Sequence, residues 1–212
     1  MDAQSLSQLT NIDIQTAESF LRSLVLIRQL NVKEFLQGLF RAKEQRGLDL
    51  SRLGDDPELQ RYFLIMIEDV AREADKEKIE AYKNAAIHLA LDPEDFDYKA
   101  NFLRTLRDLT AFDLTVLHRI YILPQENDYF QAINITKLLF ENATDADSDI
   151  VGQALKRLAS HNLIEEKFDR TAVFGSDDGS PILANLYFSK NRLGAQFLAF
   201  THEYSKELKG PK

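Results

Sequence analysis

The chain has 212 residues with 44% hydrophobic and 28% charged side chains and a formal net charge of −8, which fits one large or two small folded domains and is too apolar for intrinsic disorder. No stretch reaches the roughly 18 uncharged apolar residues of a membrane span, and Met1 to Ile14 lack the basic start and apolar run of a signal peptide. Zero cysteines exclude disulfide frameworks, thiolate zinc sites and cysteine nucleophiles, so a cytoplasmic protein without membrane contact is expected.

From Gln15 to Leu30 the residues Phe20, Leu21, Leu24, Val25, Ile27 and Leu30 recur at the three- and four-residue spacing of an amphipathic helix. The spacing predicts a short break at Asn31, then a second stretch carrying Phe35, Leu36, Leu39 and Phe40 that Gly47 ends. Asp56-Pro57 is a helix start, an aspartate that can accept backbone N–H bonds before a proline that loses none, and Asp92-Pro93 repeats the device. Between them run two apolar stripes, Leu59 to Val70 and Ile79 to Leu89, joined by the mixed-charge run Arg72 to Lys78, which reads equally as continuous helix or as a bend. A further helix carries Phe96, Phe102, Leu103 and Leu106 and stops near Thr110.

The second half begins with Thr110-Ala111-Phe112-Asp113, whose spacing of threonine and acid has the form of a capping box. A first helix with Leu114, Leu117, Ile120 and Tyr121 follows, closed by Pro124; a short second helix starts near Asn134. A third helix, over 147–161, carries Ile150, Val151, Ala154, Leu155 and Leu158 on its apolar side. Leu163 to Phe168, Thr171 to Phe174 and Ile182 to Phe188 have strand character, the last two flanking the turn residues Gly175 to Ser180. Ser189 is placed to cap a closing helix with Leu193, Phe197, Leu198 and Phe200. The expected fold class is therefore mainly α, an all-helical region over 1–108 followed by a winged-helix domain with a small antiparallel β wing over 109–212.

The series Leu155-Lys156-Arg157-Leu158, Asn162-Leu163-Ile164, the hairpin, and Phe188 through Leu193-Gly194 to Phe197-Leu198 resembles the C-terminal course of winged helix-turn-helix domains, over about half the chain. A looser resemblance covers Asp75 to Phe200. Lys76 to Ile79, Tyr82 to Ala86, Phe102-Leu103, Leu109-Thr110 and Leu114 to Tyr121 look like the uncharacterised bacterial proteins to which the abortive-infection alpha-like group is related. That resemblance implies an architecture and a bacterial or phage setting, and carries no functional residue.

On a DNA-reading third helix, basic and amide side chains face the major groove. Gln153, Lys156 and Arg157 lie off the apolar stripe, and Arg170 and Lys190 are placed for phosphates. Split after residue 100, the halves carry −6 and −2, which leaves the second room for a basic face. Against this, Asp145, Asp147 and Asp149 crowd the helix entrance and Asp177 and Asp178 sit at the wing tip, where carboxylates repel phosphates. The plainer reading makes Lys156 and Arg157 the wet side of a core helix. Asp145-x-Asp147-x-Asp149 starts like a calcium loop, but Ile150 stands where glycine is needed and Lys156 where glutamate is needed, so capping explains it better. His88, His118, His161 and His202 form no pair at metal-binding spacing, and no Gly-rich phosphate loop or nucleophile motif is present.

Two asparagine sequons, at Asn134 and Asn142, are expected to be chance matches, since no secretory signal is read in Met1 to Ile14. The sequence therefore points to a non-enzymatic protein-interaction module with no catalytic residue, metal or cofactor. Residues 15–46 are its candidate dimerisation element, with packing of the stripe Phe20 to Phe40 against Leu59 to Val70 in the same chain as the equal alternative, and a DNA-binding regulator is the alternative function.

Overall fold

The computed structural model describes residues 4, 14–46, 56–91, 96–122, 129–168 and 186–202. The chain divides into two compact units, Met1–Ala100 and Asn101–Lys212. Among the described residues it is mainly helical, with one two-stranded antiparallel sheet.

In the first unit α1 runs from Ile14 to Arg46 without interruption, a rod of about 50 Å at 1.5 Å per residue. The break expected at Asn31 is absent. Asparagine disfavours helix interiors because its side chain competes for nearby backbone. Here the Asn31 amide instead donates to the Glu73 carbonyl at 2.6 Å, just past the end of the next helix, and at 3.4 Å to the Val70 carbonyl, which also accepts from the Glu73 amide. That helix, α2 (Pro57–Arg72), starts as expected, with Asp56 Oδ1 accepting from the Glu58 and Leu59 amides at 2.9 and 3.1 Å.

The charged run after Arg72 is a bend. Glu73 Oε1 accepts from the amides of Ala74 and Asp75, and Asp75 Oδ1 accepts from that of Glu77, so α3 (Lys76–Leu91) begins with its own cap. Lys78, nearly buried, pairs with Glu73 at 3.3 Å. Helix α3 is buried around most of its circumference, through Ile79, Ala81, Tyr82, Ala85, Ile87 and Leu89 among others. The C-terminal half of α1 packs into the same core through Phe35, Leu39 and Ala42, Phe35 tilting against Phe63 at 5.8 Å. The Asp92-Pro93 cap and Gly47 lie outside the described residues.

Helix α4 (Phe96–Asp108) spans the division between the units. In the second unit α5 (Ala111–Ile122) opens with the expected capping box, Asp113 Oδ2 accepting from the Thr110 amide and Thr110 Oγ1 from that of Asp113. Next comes α6 (Ala132–Leu139), which starts two residues before Asn134 because Asn134 Oδ1 takes the Gln131 amide and so sits inside the first turn. Helix α7 (Asp145–Ser160) likewise starts ahead of 147, since Thr144 is the cap and Asp147 its partner.

Strands β1 (Ile164–Phe168) and β2 (Leu186–Lys190) pair antiparallel, in a register from Ile164↔Lys190 to Phe168↔Leu186. Phe130, between α5 and α6, adds a bridge to Phe188. The closing helix α8 (Arg192–Thr201) is capped by Asn191, whose Oδ1 accepts from the Gly194 amide at 2.8 Å. Ser189 is not the cap: it is still inside β2, buried and opposite Glu165. Pro124, the strand at Thr171 to Phe174 and the turn Gly175 to Ser180 lie outside the described residues. The core of this unit centres on Leu117, Ile120, Ile135, Leu155, Leu158 and Phe188. Phe102 of α4 packs edge-on to Phe197 at 5.3 Å and tilted to Phe200 at 5.6 Å.

Candidate functional site

Helix α7 buries Val151, Ala154, Leu155 and Leu158, which turns Asp149, Ile150, Gln153, Lys156 and Ser160 to solvent. Gln153 and Lys156 therefore stand where a reading helix would need them. Arg157 is engaged elsewhere. Its Nε and Nη2 grip the fully buried carboxylate of Asp113 at 3.1 and 2.8 Å, two-pronged, while its own side chain stays 42% exposed. The hydrogen bond to Asp113 raises the guanidinium pKa, with burial opposing and the opposite charge adding to the rise. Arg157 thus joins α7 to the capped end of α5, which the sequence does not reveal because the partners are far apart along the chain. Lys190 lies in β2 opposite Ile164, and Arg170, Asp177 and Asp178 fall outside the described residues.

The acids at the start of α7 divide by task. Asp147 accepts from the Thr144 hydroxyl at 2.6 Å and amide at 2.8 Å, and these bonds hold its carboxyl below the usual carboxylate range. Asp145 and Asp149 stay exposed on the outward face, close to where base contacts would begin. At the other end of α7 an open cavity of about 770 Å³ is lined by Lys156, Ser160, Asn162, Glu165, Glu166 and Arg192 among others. Its cations and carboxylates are interleaved, so it lacks the single-signed field that concentrates a charged ligand.

Three further contacts escaped sequence reasoning. The Tyr121 hydroxyl lies 2.7 Å from the Asn191 carbonyl and 3.1 Å from that of Leu163, and accepts from the Asn191 amide. Burial raises its pKa, and the backbone bonds to Asn191 and Ala195 oppose the rise. On the sheet, the Lys167 ammonium sits 4.7 Å over the Tyr129 ring and 3.5 Å from Glu165. The imidazoles of His118 and His202 stack at 4.4 Å, in a parallel arrangement that does not converge on a common ligand. Among the described residues no group of three or more His, Asp or Glu side chains is placed to hold a metal ion.

The first unit offers a different kind of surface. Val25, Leu26, Ile27 and Leu30 on α1 are each more than half exposed, as are Phe40 on α1 and Leu64 on α2. Consecutive exposed residues point in different directions around a helix, so this part of α1 is apolar on several sides, a pattern otherwise found in buried helices. Beside it, α1 and α2 enclose an open groove of about 480 Å³ with Val32, Leu36, Phe40 and Ala71 in its walls and Arg28 and Lys33 along it. No described helix is long and apolar enough to cross a membrane. Comparison with known protein families, with curated proteins and with solved structures finds no match.

Proposed function

We propose that this chain is a non-enzymatic protein-interaction module of the bacterial cytoplasm, its second unit built on a winged-helix scaffold. The scaffold reading is supported by the order of elements, α5, α6 and α7 followed by β1 and β2, with Phe130 bridging β2 from the position of a short first strand. The observation that carries the functional reading is the exposed apolar run Val25 to Leu30 on α1, since contiguous apolar surface on a folded protein marks a contact site. The partner is another protein or a second copy of this chain. The pair Leu26→Glu with Leu30→Glu is expected to leave urea stability within about 0.5 kcal/mol of the parent, as at exposed positions generally. The same pair is expected to remove any concentration-dependent association seen by light scattering. A loss of several kcal/mol would mean that these residues are core, and would refute the reading.

A DNA-binding regulator is the second reading, favoured by the exposed Gln153 and Lys156 on α7. It requires binding of random-sequence duplex that weakens steeply with salt and is lost in Lys156→Glu. The protein-contact reading requires no such binding in anisotropy at low salt. Arg157 is left out of that variant because reversing its charge would place two carboxylates together at Asp113.

A further inference from the structure

We propose that the groove between α1 and α2 receives an acidic amphipathic helix of a partner protein, an inference that rests on the protein-contact reading above and names the partner's chemistry. Val32, Leu36 and Phe40 recur every fourth residue along α1, a ridge of about 12 Å at 1.5 Å per residue. Ala71 on α2 supplies a low opposite wall. Such a trough matches the apolar stripe of a helix, whose anchors recur at three- and four-residue steps. Phe40 is 58% exposed at its mouth, so the site is open and suited to a rod lying along it rather than to an enclosed small molecule.

Charge selects among helices. Arg28, Lys33, Gln29 and Gln37 line the groove, and among the described residues no carboxylate does. Neither Arg28 nor Lys33 forms an ion pair among the described residues, and Glu68, one turn before Ala71 on α2, stays outside the lining. Helix α1 as a whole carries Arg22, Arg28, Lys33, Arg41, Lys43 and Arg46 against Glu18, Glu34 and Glu44, a net +3 within a chain of −8. A second copy of α1 laid in the groove would bring cations against cations, and like-charge juxtaposition disfavours a partner. A helix with apolar anchors flanked by glutamates would meet both features.

The test uses the full chain and two labelled synthetic helices of roughly 16 residues, long enough to lie along the groove. Each has leucines at the first, fourth, fifth and eighth positions of its repeat, flanked by glutamates in one peptide and by lysines in the other. In fluorescence anisotropy the acidic peptide is expected to bind about tenfold tighter than the basic one at low salt, the margin shrinking as salt screens the rim. Arg28→Glu with Lys33→Glu is expected to reverse that preference, and Phe40→Glu to weaken the acidic peptide about tenfold. All three positions are exposed, so circular dichroism melts should match the parent. Equal binding of the two peptides, a preference unmoved by the double reversal, or binding to anionic vesicles in place of the peptide would each overturn the inference. A dimer that excludes the acidic peptide and is dispersed by Phe40→Glu would overturn it while leaving the protein-contact reading in place. No binding of either peptide would overturn it as well, and if Leu26→Glu with Leu30→Glu also destabilises the fold, the protein-contact reading falls with it.

Discussion

Arg157→Ala is expected to destabilise the second unit by about 3 kcal/mol, at the lower end of the cost of breaking a buried ion pair. The loss arises at Asp113, whose side chain is wholly buried and would keep the Thr110 amide as a donor but lose both prongs of the guanidinium. A buried carboxylate without its counter-charge is penalised by desolvation. The lower end applies because Arg157 is 42% exposed, so part of its attraction is already screened by water. Arg157→Lys restores the charge without the planar fork and should recover about half of the loss. With two units in one chain, a single unfolding curve is not assured to be two-state. Urea denaturation should therefore be read together with amide hydrogen exchange, and faster exchange in α5 and α7 but not in α2 and α3 is the expected signature. A cost under about 1 kcal/mol would show that the pair behaves like a surface salt bridge.

This residue also shows where reading a sequence stops. The elements that could be foreseen are those whose cause is local. Asp56-Pro57 and Thr110 with Asp113 place the acceptor within three residues of the amides it caps, and the stripe from Val151 to Leu158 has one helical period. Asn31 reads as a break in the sequence because its partners, the carbonyls of Val70 and Glu73, lie at the end of a different helix. Ser189 and Asn191 are both good caps. Which one serves depends on where β2 stops pairing, and Lys190 is still opposite Ile164. Arg157 looks free for DNA in the sequence for the same reason, since only the fold brings Asp113 to it. Periodicity also found the apolar residues of α1, but it cannot say that Phe35 and Leu39 are covered while Leu26 and Leu30 are not. The candidate surface is thus a matter of which stripe the fold leaves over.

The second large effect is expected at Gly194, in the first turn of α8. By helix propensity alone, Gly→Ala there should stabilise by about 1 kcal/mol. The packing reverses the sign. A methyl group at Gly194 would overlap the carbonyl oxygen of Leu163 and the hydroxyl of Tyr121. The carbonyl is backbone and cannot rotate away, and the hydroxyl is held by Asn191 through both its amide and its carbonyl. Relief requires α8 to move off the start of β1, at an overpacking cost of roughly 1 to 3 kcal/mol and with loss of the Tyr121 bonds, each worth about 1 kcal/mol. Gly194→Ala should therefore destabilise by about 3 kcal/mol, read in urea and as faster exchange in α8. Tyr121→Phe alone should cost about 2 kcal/mol, because the hydroxyl both donates one bond and accepts another. The double variant should cost less than the sum, because removing the hydroxyl relieves one of the two overlaps, and such coupling is the mark of a shared contact. Gly152→Ala is the control: its added carbon would meet only the Ala132 methyl at 3.9 Å, an ordinary contact. In the middle of α7 it should stabilise by roughly 0.5 to 1 kcal/mol. If both glycine variants shift stability in the same direction, close packing of α8 on Leu163 is not what holds position 194 as glycine.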